Sequence, residues 1–230
     1  MRPLRSAAIP LMLLAAAGCR HALPPAPLPA DWQTLVREPR PFAAMYRFSC
    51  CGHSGLLLSL RGDTHVLSLA VAVPPGGTVL AAWVAPDGGW VNRVKERCRE
   101  PLPGGVLPLS NGATLPLDPE LATLLLSGVL PSGAHELSGQ PGWVEATFGA
   151  FWWRARVEGA EPHWTKVVIG RVGEQAPLVT AARSDYAVVP HAMRLTAGSV
   201  KAELALQAWN VADPPAPPTW LSVPICGGGS

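Results

Sequence analysis

The chain has 230 residues, with 18 Lys and Arg against 16 Asp and Glu and a formal net charge of +2. Only three lysines occur, Lys95, Lys166 and Lys201, and no basic run gathers the arginines, which excludes the concentrated positive face that nucleic-acid binding needs. At this length one sizeable core suffices, and a single all-β domain is ordinary.

Residues 1–18 read as a secretory signal. Arg2 and Arg5 form its basic start, and the apolar stretch Ile9 to Ala17 is too short to span a bilayer. The stretch ends in Ala16-Ala17-Gly18-Cys19, which resembles a bacterial lipobox, with Ala16 where leucine is usual. That resemblance implies cleavage before Cys19 and lipidation of its thiol and amine; the alternative is an ordinary signal cleaved nearby. Arg20 follows, not the Asp that marks inner-membrane retention in Gram-negative lipoproteins, so an outer-membrane anchor facing the periplasm is implied. Residues 19–29 then form a lipidated, proline-rich tether, in which Ala22 to Leu28 (ALPPAPL) is extended and semi-rigid. The folded domain spans 30–226, and 227–230 form a flexible tail. Without Arg2 and Arg5 the mature chain is near neutral.

In chain order, Asp31 caps a short helix on which Trp32, Leu35 and Val36 share a face, and Pro39 and Pro41 end it. Strand-like runs follow at Phe42–Phe48, Gly55–Leu60, His65–Val73 and Thr78–Ala85, broken by Pro74-Pro75-Gly76-Gly77 and Pro86-Asp87-Gly88-Gly89. Leu117–Gly128 is the well-specified helix. Asp118 is its N-cap, Pro119 its first residue, Leu121, Leu124 and Leu125 its apolar stripe, and Gly128 its C-cap. Strands return at Gly142–Phe148, Ala150–Val157, Trp164–Val172 and Ala176–Ala182. The stretch Pro190 to Val211 is a hairpin turning at Ala197-Gly198. Trp209 falls on its polar face, so either a bulge intervenes or that side is partly covered. Trp220–Cys226 adds an edge strand or a strap. Strands joined by short turns predict a meandering antiparallel sheet, mainly β with a few helices, and not βαβ units.

Besides Cys19 there are Cys50, Cys51, Cys98 and Cys226. Export makes disulfides the expected state. A bond between neighbours is the least favoured on geometry, so Cys98 and Cys226 are each expected to reach one of Cys50 and Cys51. The sharper alternative, a metal site of Cys50, Cys51 and His53, lacks the usual gap between thiols. Gly52-His53-Ser54-Gly55 lacks the last glycine of a nucleophile elbow, because Leu56 stands there. The histidines are scattered and no phosphate loop precedes a helix. No enzyme, metal or cofactor is expected.

The hairpin pattern (Pro190, Met193, Leu195, Gly198, then Lys201, Leu204, Leu206, Trp209 and Val211) resembles the last hairpin of LolB-like outer-membrane lipoprotein receptors. Leu125-Leu126-Ser127-Gly128-Val129-Leu130-Pro131 resembles the end of their leucine-rich helix. The resemblance implies a curved antiparallel sheet, an incomplete β-barrel, with an α-helical lid over an apolar cavity. It implies that the cavity holds acyl chains of lipoproteins or other lipids, received from a periplasmic LolA-like carrier and passed to the outer-membrane bilayer by a monomer. Leu121, Leu124, Leu125, Trp152, Met193, Leu204 and Leu206 are the expected ligand-binding residues. Val73, Pro74 and Pro75 correspond to the membrane-contact loop, with Pro75 where the family carries an exposed leucine.

Overall fold

The structure is a computed structural model and describes residues 26–108 and 114–227. The signal at 1–18, Cys19, the start of the tether and tail residues 228–230 lie outside the described residues. The first half of the chain forms β1 (Phe42–Cys50), β2 (His53–Gly62), β3 (Leu67–Ala72), β4 (Thr78–Ala85), β5 (Gly88–Arg93) and β6 (Cys98–Pro101). The hairpin β7 (Val106–Pro108) and β8 (Thr114–Pro116) then leads into α1 (Pro119–Ser127). The second half forms β9 (His135–Glu136), β10 (Trp143–Phe148), β11 (Phe151–Glu158), β12 (His163–Arg171), β13 (Pro177–Arg183), β14 (Ala192–Ala197) and β15 (Val200–Val211).

Thirteen of these strands make one antiparallel sheet, running from β6 back to β1, then from β15 back to β9. Each half is a meander of sequence neighbours, and β1 with β15 joins the halves. β6 and β9 are not paired with each other, so the curved sheet does not close into a barrel. Both edges are covered, which blunts edge-to-edge pairing. Glu136 N donates to Ala26 O at 3.0 Å, and Arg99 N donates to Pro224 O at 2.9 Å. After β15 the chain runs to β6 through a 3-10 turn at Thr219–Ser222, which touches β5. This segment is the strap the sequence allowed for.

Period-two burial builds the concave face. On β11, Trp153, Ala155 and Val157 are buried while Arg154, Arg156 and Glu158 are exposed. On β15 the phase changes. Met45 pairs with Ala208 but Tyr46 pairs with Leu206, so Gln207 is an extra residue. This bulge turns Trp209 onto the core side, where it stacks on Phe42 with centroids 4.9 Å apart. The hairpin turn itself is at Gly198-Ser199, one residue later than predicted, with Gly198 at φ 58°.

Helix α1 has the predicted caps. Asp118 Oδ1 accepts from Leu121 N at 2.9 Å, and Gly128 is left-handed at φ 71°. The helix lies over an apolar cavity on the sheet, as the expected lid does, and is buried more deeply than a surface stripe requires. None of its nine residues is exposed, and Leu121, Thr123, Leu124, Leu125 and Leu126 are buried. A helix apolar on nearly every side belongs inside a fold, so α1 is a plug in the sheet's concavity. Near the N-terminus, Trp32–Leu35 is a 3-10 turn, and Asp31 makes no side-chain cap.

The cysteine pairing also differs from the expectation. Cys98 is bonded to Cys226, and Cys50 to Cys51. The reason lies in the strap: Ile225 sits beside Arg99 on the β6 edge, which sets Cys226 next to Cys98 with Cα atoms 5.0 Å apart.

Candidate functional site beneath the buried helix

Between α1 and the sheet lies a cavity of ≈ 120 Å³ lined by apolar side chains alone. The helix segment supplies Leu117, Leu121, Ala122, Leu125 and Leu126, and β8 supplies Leu115 and Pro116. Leu58, Leu60, Leu67 and Leu69 of β2 and β3 form one wall. Ile169, Val179, Leu195 and Leu204 of β12 to β15 form the other. Both halves of the sheet therefore face the same hollow.

Of the predicted ligand-binding residues, Leu121, Leu125 and Leu204 line this cavity. Leu124 is buried elsewhere on the helix, Met193 stands opposite Leu204 within the core, and Leu206 packs against that core. Trp152 is a correction. It lies on the other face of β11, in an open groove with Glu145, Thr147 and Arg154. Its indole N–H donates to Glu174 O at 3.1 Å, and the Arg154 guanidinium sits 5.1 Å from its ring centre. The core tryptophan is its neighbour Trp153, fully buried. Two adjacent tryptophans always point to opposite faces, and only the phase of Ala155 and Val157 tells them apart. The walls from β3, β12 and β13 were missed for a related reason: their near-continuous apolar runs hide which residues face inward.

A second hollow, ≈ 600 Å³ and open, lies at the rim formed by the β1–β2, β3–β4 and β5–β6 turns. Its floor includes Leu56, Leu80, Val91 and Leu107, and its rim Arg93, Lys95, Glu96 and Glu100. Arg93 Nε is 2.7 Å from Glu100 Oε1, and hydrogen bonding to Glu100 raises the Arg93 guanidinium above its ordinary value. The floor shares its elements with the cavity. Leu56 precedes cavity-lining Leu58 by one strand period, and Leu107 pairs with cavity-lining Leu115. The predicted membrane-contact loop borders this rim: Val73 is 42% exposed, Val79 is 40% exposed, and the Pro74–Pro75 bond is cis.

Polar chemistry is buried elsewhere. Arg183, with its side chain out of solvent, donates from Nε to Trp164 O at 2.6 Å and from Nη1 to Ala187 O at 2.7 Å. Its guanidinium lies 4.5 Å from the Trp164 ring centre, and burial lowers it to about 10. The Tyr46 hydroxyl is buried without a partner among the described residues; burial, then the charge of Asp185, pushes it above the ordinary tyrosine value. Through Ala187 and Val188, Arg183 positions the loop at 184–191.

Ser54 is the second residue of β2, exposed, on a strand and not a strand-to-helix turn. Among the described residues no histidine or acid is hydrogen-bonded to it. Cys50 and Cys51 are joined, so they do not offer His53 a pair of free thiolates. Glu96, Cys98 and Cys226 bring donor atoms within 4.8 Å of one another, but those two sulfurs are bonded together.

No family model matches the chain, and no curated protein matches it. Among solved structures it is similar to a LolA superfamily protein from Nitrosomonas europaea, at 9% sequence identity and a TM-score of 0.48, covering 80% of this chain and 92% of that one.

Proposed function

We propose that the protein is an outer-membrane lipoprotein, anchored through Cys19, that binds acyl chains of lipids or lipoproteins beneath α1 and acts in lipoprotein localisation in the manner of LolB-like receptors. The observation that carries this reading is the wholly apolar cavity between α1 and both halves of the sheet. A cavity of ≈ 120 Å³ is well below the roughly 300 Å³ at which ligand pockets begin, so α1 must leave for chains to enter. Exposing its four buried leucines costs about 6–12 kcal/mol. A triacylated cysteine carries on the order of 40 methylenes and gains up to ~30 kcal/mol on leaving water, so the ligand's side of the exchange wins. The groove beside Val73 is the entry, where a LolA-like carrier hands over chains and the Val73-Pro74-Pro75 loop touches the bilayer. The protein works as a monomer and without catalysis or a cofactor.

Native mass spectrometry of the full mature chain with a triacylated lipopeptide should give a one-to-one adduct. Absence of that adduct, with no change in tryptophan emission on adding a fatty-acid probe, overturns the reading. The burial of Leu121, Thr123, Leu124, Leu125 and Leu126 of α1 favours a second one, a scaffolding envelope lipoprotein whose interior stays filled. That reading predicts no adduct at any lipopeptide concentration.

A further inference from the structure

Cys50 ends β1 and Cys51 opens the turn of the β1–β2 hairpin at the rim of the open groove, where His53 and Leu56 line its wall. Cys98 and Cys226 satisfy each other, so among the described residues this pair has only itself to bond. The two bonds do different things. Cys98–Cys226 closes a sequence separation of 128 and ties the strap to the β6 edge, which restricts the unfolded chain. A bond between neighbours closes almost no loop and joins no two elements, so stabilising the fold is not its effect. One peptide unit also holds the two Cα atoms 3.8 Å apart, below the roughly 4.4 Å at which ordinary disulfides begin. Residues 51–55 are exposed, Cys51 is left-handed at φ 57°, and the β1–β2 register breaks between Phe48 and Cys50. Exposed, constrained disulfides are the labile ones.

We propose that Cys50 and Cys51 are a redox-active pair that exchanges with an external dithiol at the mouth of the groove. A thiolate of the dithiol attacks the exposed Cys51 Sγ, forming a mixed disulfide and releasing Cys50 as thiolate. The dithiol's second thiolate then attacks its own sulfur in that mixed disulfide and releases Cys51. The protein gains two electrons and takes up two protons, and the dithiol becomes a disulfide. The exchange frees the hairpin tip beside Leu56 while the strap stays locked.

The test equilibrates the mature protein with graded ratios of reduced to oxidised dithiothreitol, traps thiols by alkylation, and reads each cysteine peptide by mass. Cys50–Cys51 should be half reduced at a ratio at least tenfold more oxidising than Cys98–Cys226, about 30 mV for a two-electron couple. A Cys50→Ser, Cys51→Ser variant should leave the reduction midpoint of Cys98–Cys226 unchanged. Reduction of both pairs together, the reverse order, or free thiols at positions 50 and 51 at every ratio overturns the proposal.

Discussion

Gly128 ends α1 in the left-handed conformation, and a β-carbon added there would overlap the carbonyl oxygen of Val188. The C-terminus of the plug is thereby seated against the 184–191 loop. That loop is itself fixed, because Asp185 accepts from the amides of Ala187, His191 and Ala192. Gly128→Ala meets both a left-handed φ that alanine rarely adopts and a backbone clash, so it should cost at least ~2 kcal/mol. Urea unfolding checks this. Because the clashing atom is backbone, trimming Val188 to alanine should not restore stability.

Arg183 is the other support of the same loop, with three backbone carbonyls within reach of its guanidinium. Arg183→Ala leaves those carbonyls and Asp185 without the buried cation and should cost about 3–5 kcal/mol. Arg183→Lys should recover little, because an ammonium cannot address carbonyls in two directions from a planar fork. Thermal denaturation of the three proteins side by side tests the ordering.

The pH dependence centres on Tyr46. Its folded-state proton is held above the ordinary value by burial, with Asp185 adding to the effect. In the unfolded chain the phenol ionises near ~10. The Tyr46 contribution is therefore whole below that pH and declines as pH rises beyond it, while Arg183, lowered to about 10 by burial, contributes in the opposite sense over the same range. Tyr46→Phe should remove that decline, and should change stability at neutral pH by no more than ~1 kcal/mol, because the hydroxyl has no partner to lose. Unfolding curves at neutral pH and above the phenol's ordinary pKa separate the two effects.

Replacing Cys98 and Cys226 together by serine should lower stability by about 2–4 kcal/mol. It should also open residues 212–226 to proteolysis while the sheet remains intact. Limited proteolysis followed by mass mapping reads this directly.

The sheet was legible wherever burial alternates. Thr78–Ala85 matches β4 residue for residue, and the caps of α1 at Asp118 and Gly128 are as their chemistry predicts. The odd phase of Trp209 pointed to a bulge, and Gln207 is the inserted residue. β5 to β9 were not anticipated, because each is six residues or fewer and carries little alternation. The depth of α1 was hidden by its short length: three leucines at helical spacing suit a surface stripe, and only Leu126 and Thr123 beside them betray the wider burial. The disulfide pairing depended on where the strap ends, which no local pattern encodes. Of the candidate cavity, Leu121, Leu125 and Leu204 were legible, and Leu126 and the walls from β2, β3, β8, β12, β13 and β14 were not.

The exchange of α1 for acyl chains is tested most directly by hydrogen–deuterium exchange at the amides of residues 121–127 in the mature protein, with and without saturating triacylated lipopeptide. Displacement of the plug predicts that these amides, slow in the free protein, exchange faster when the ligand is bound, while those of β1 and β15 do not change. Amides of α1 that keep their slow exchange in the bound protein would contradict it.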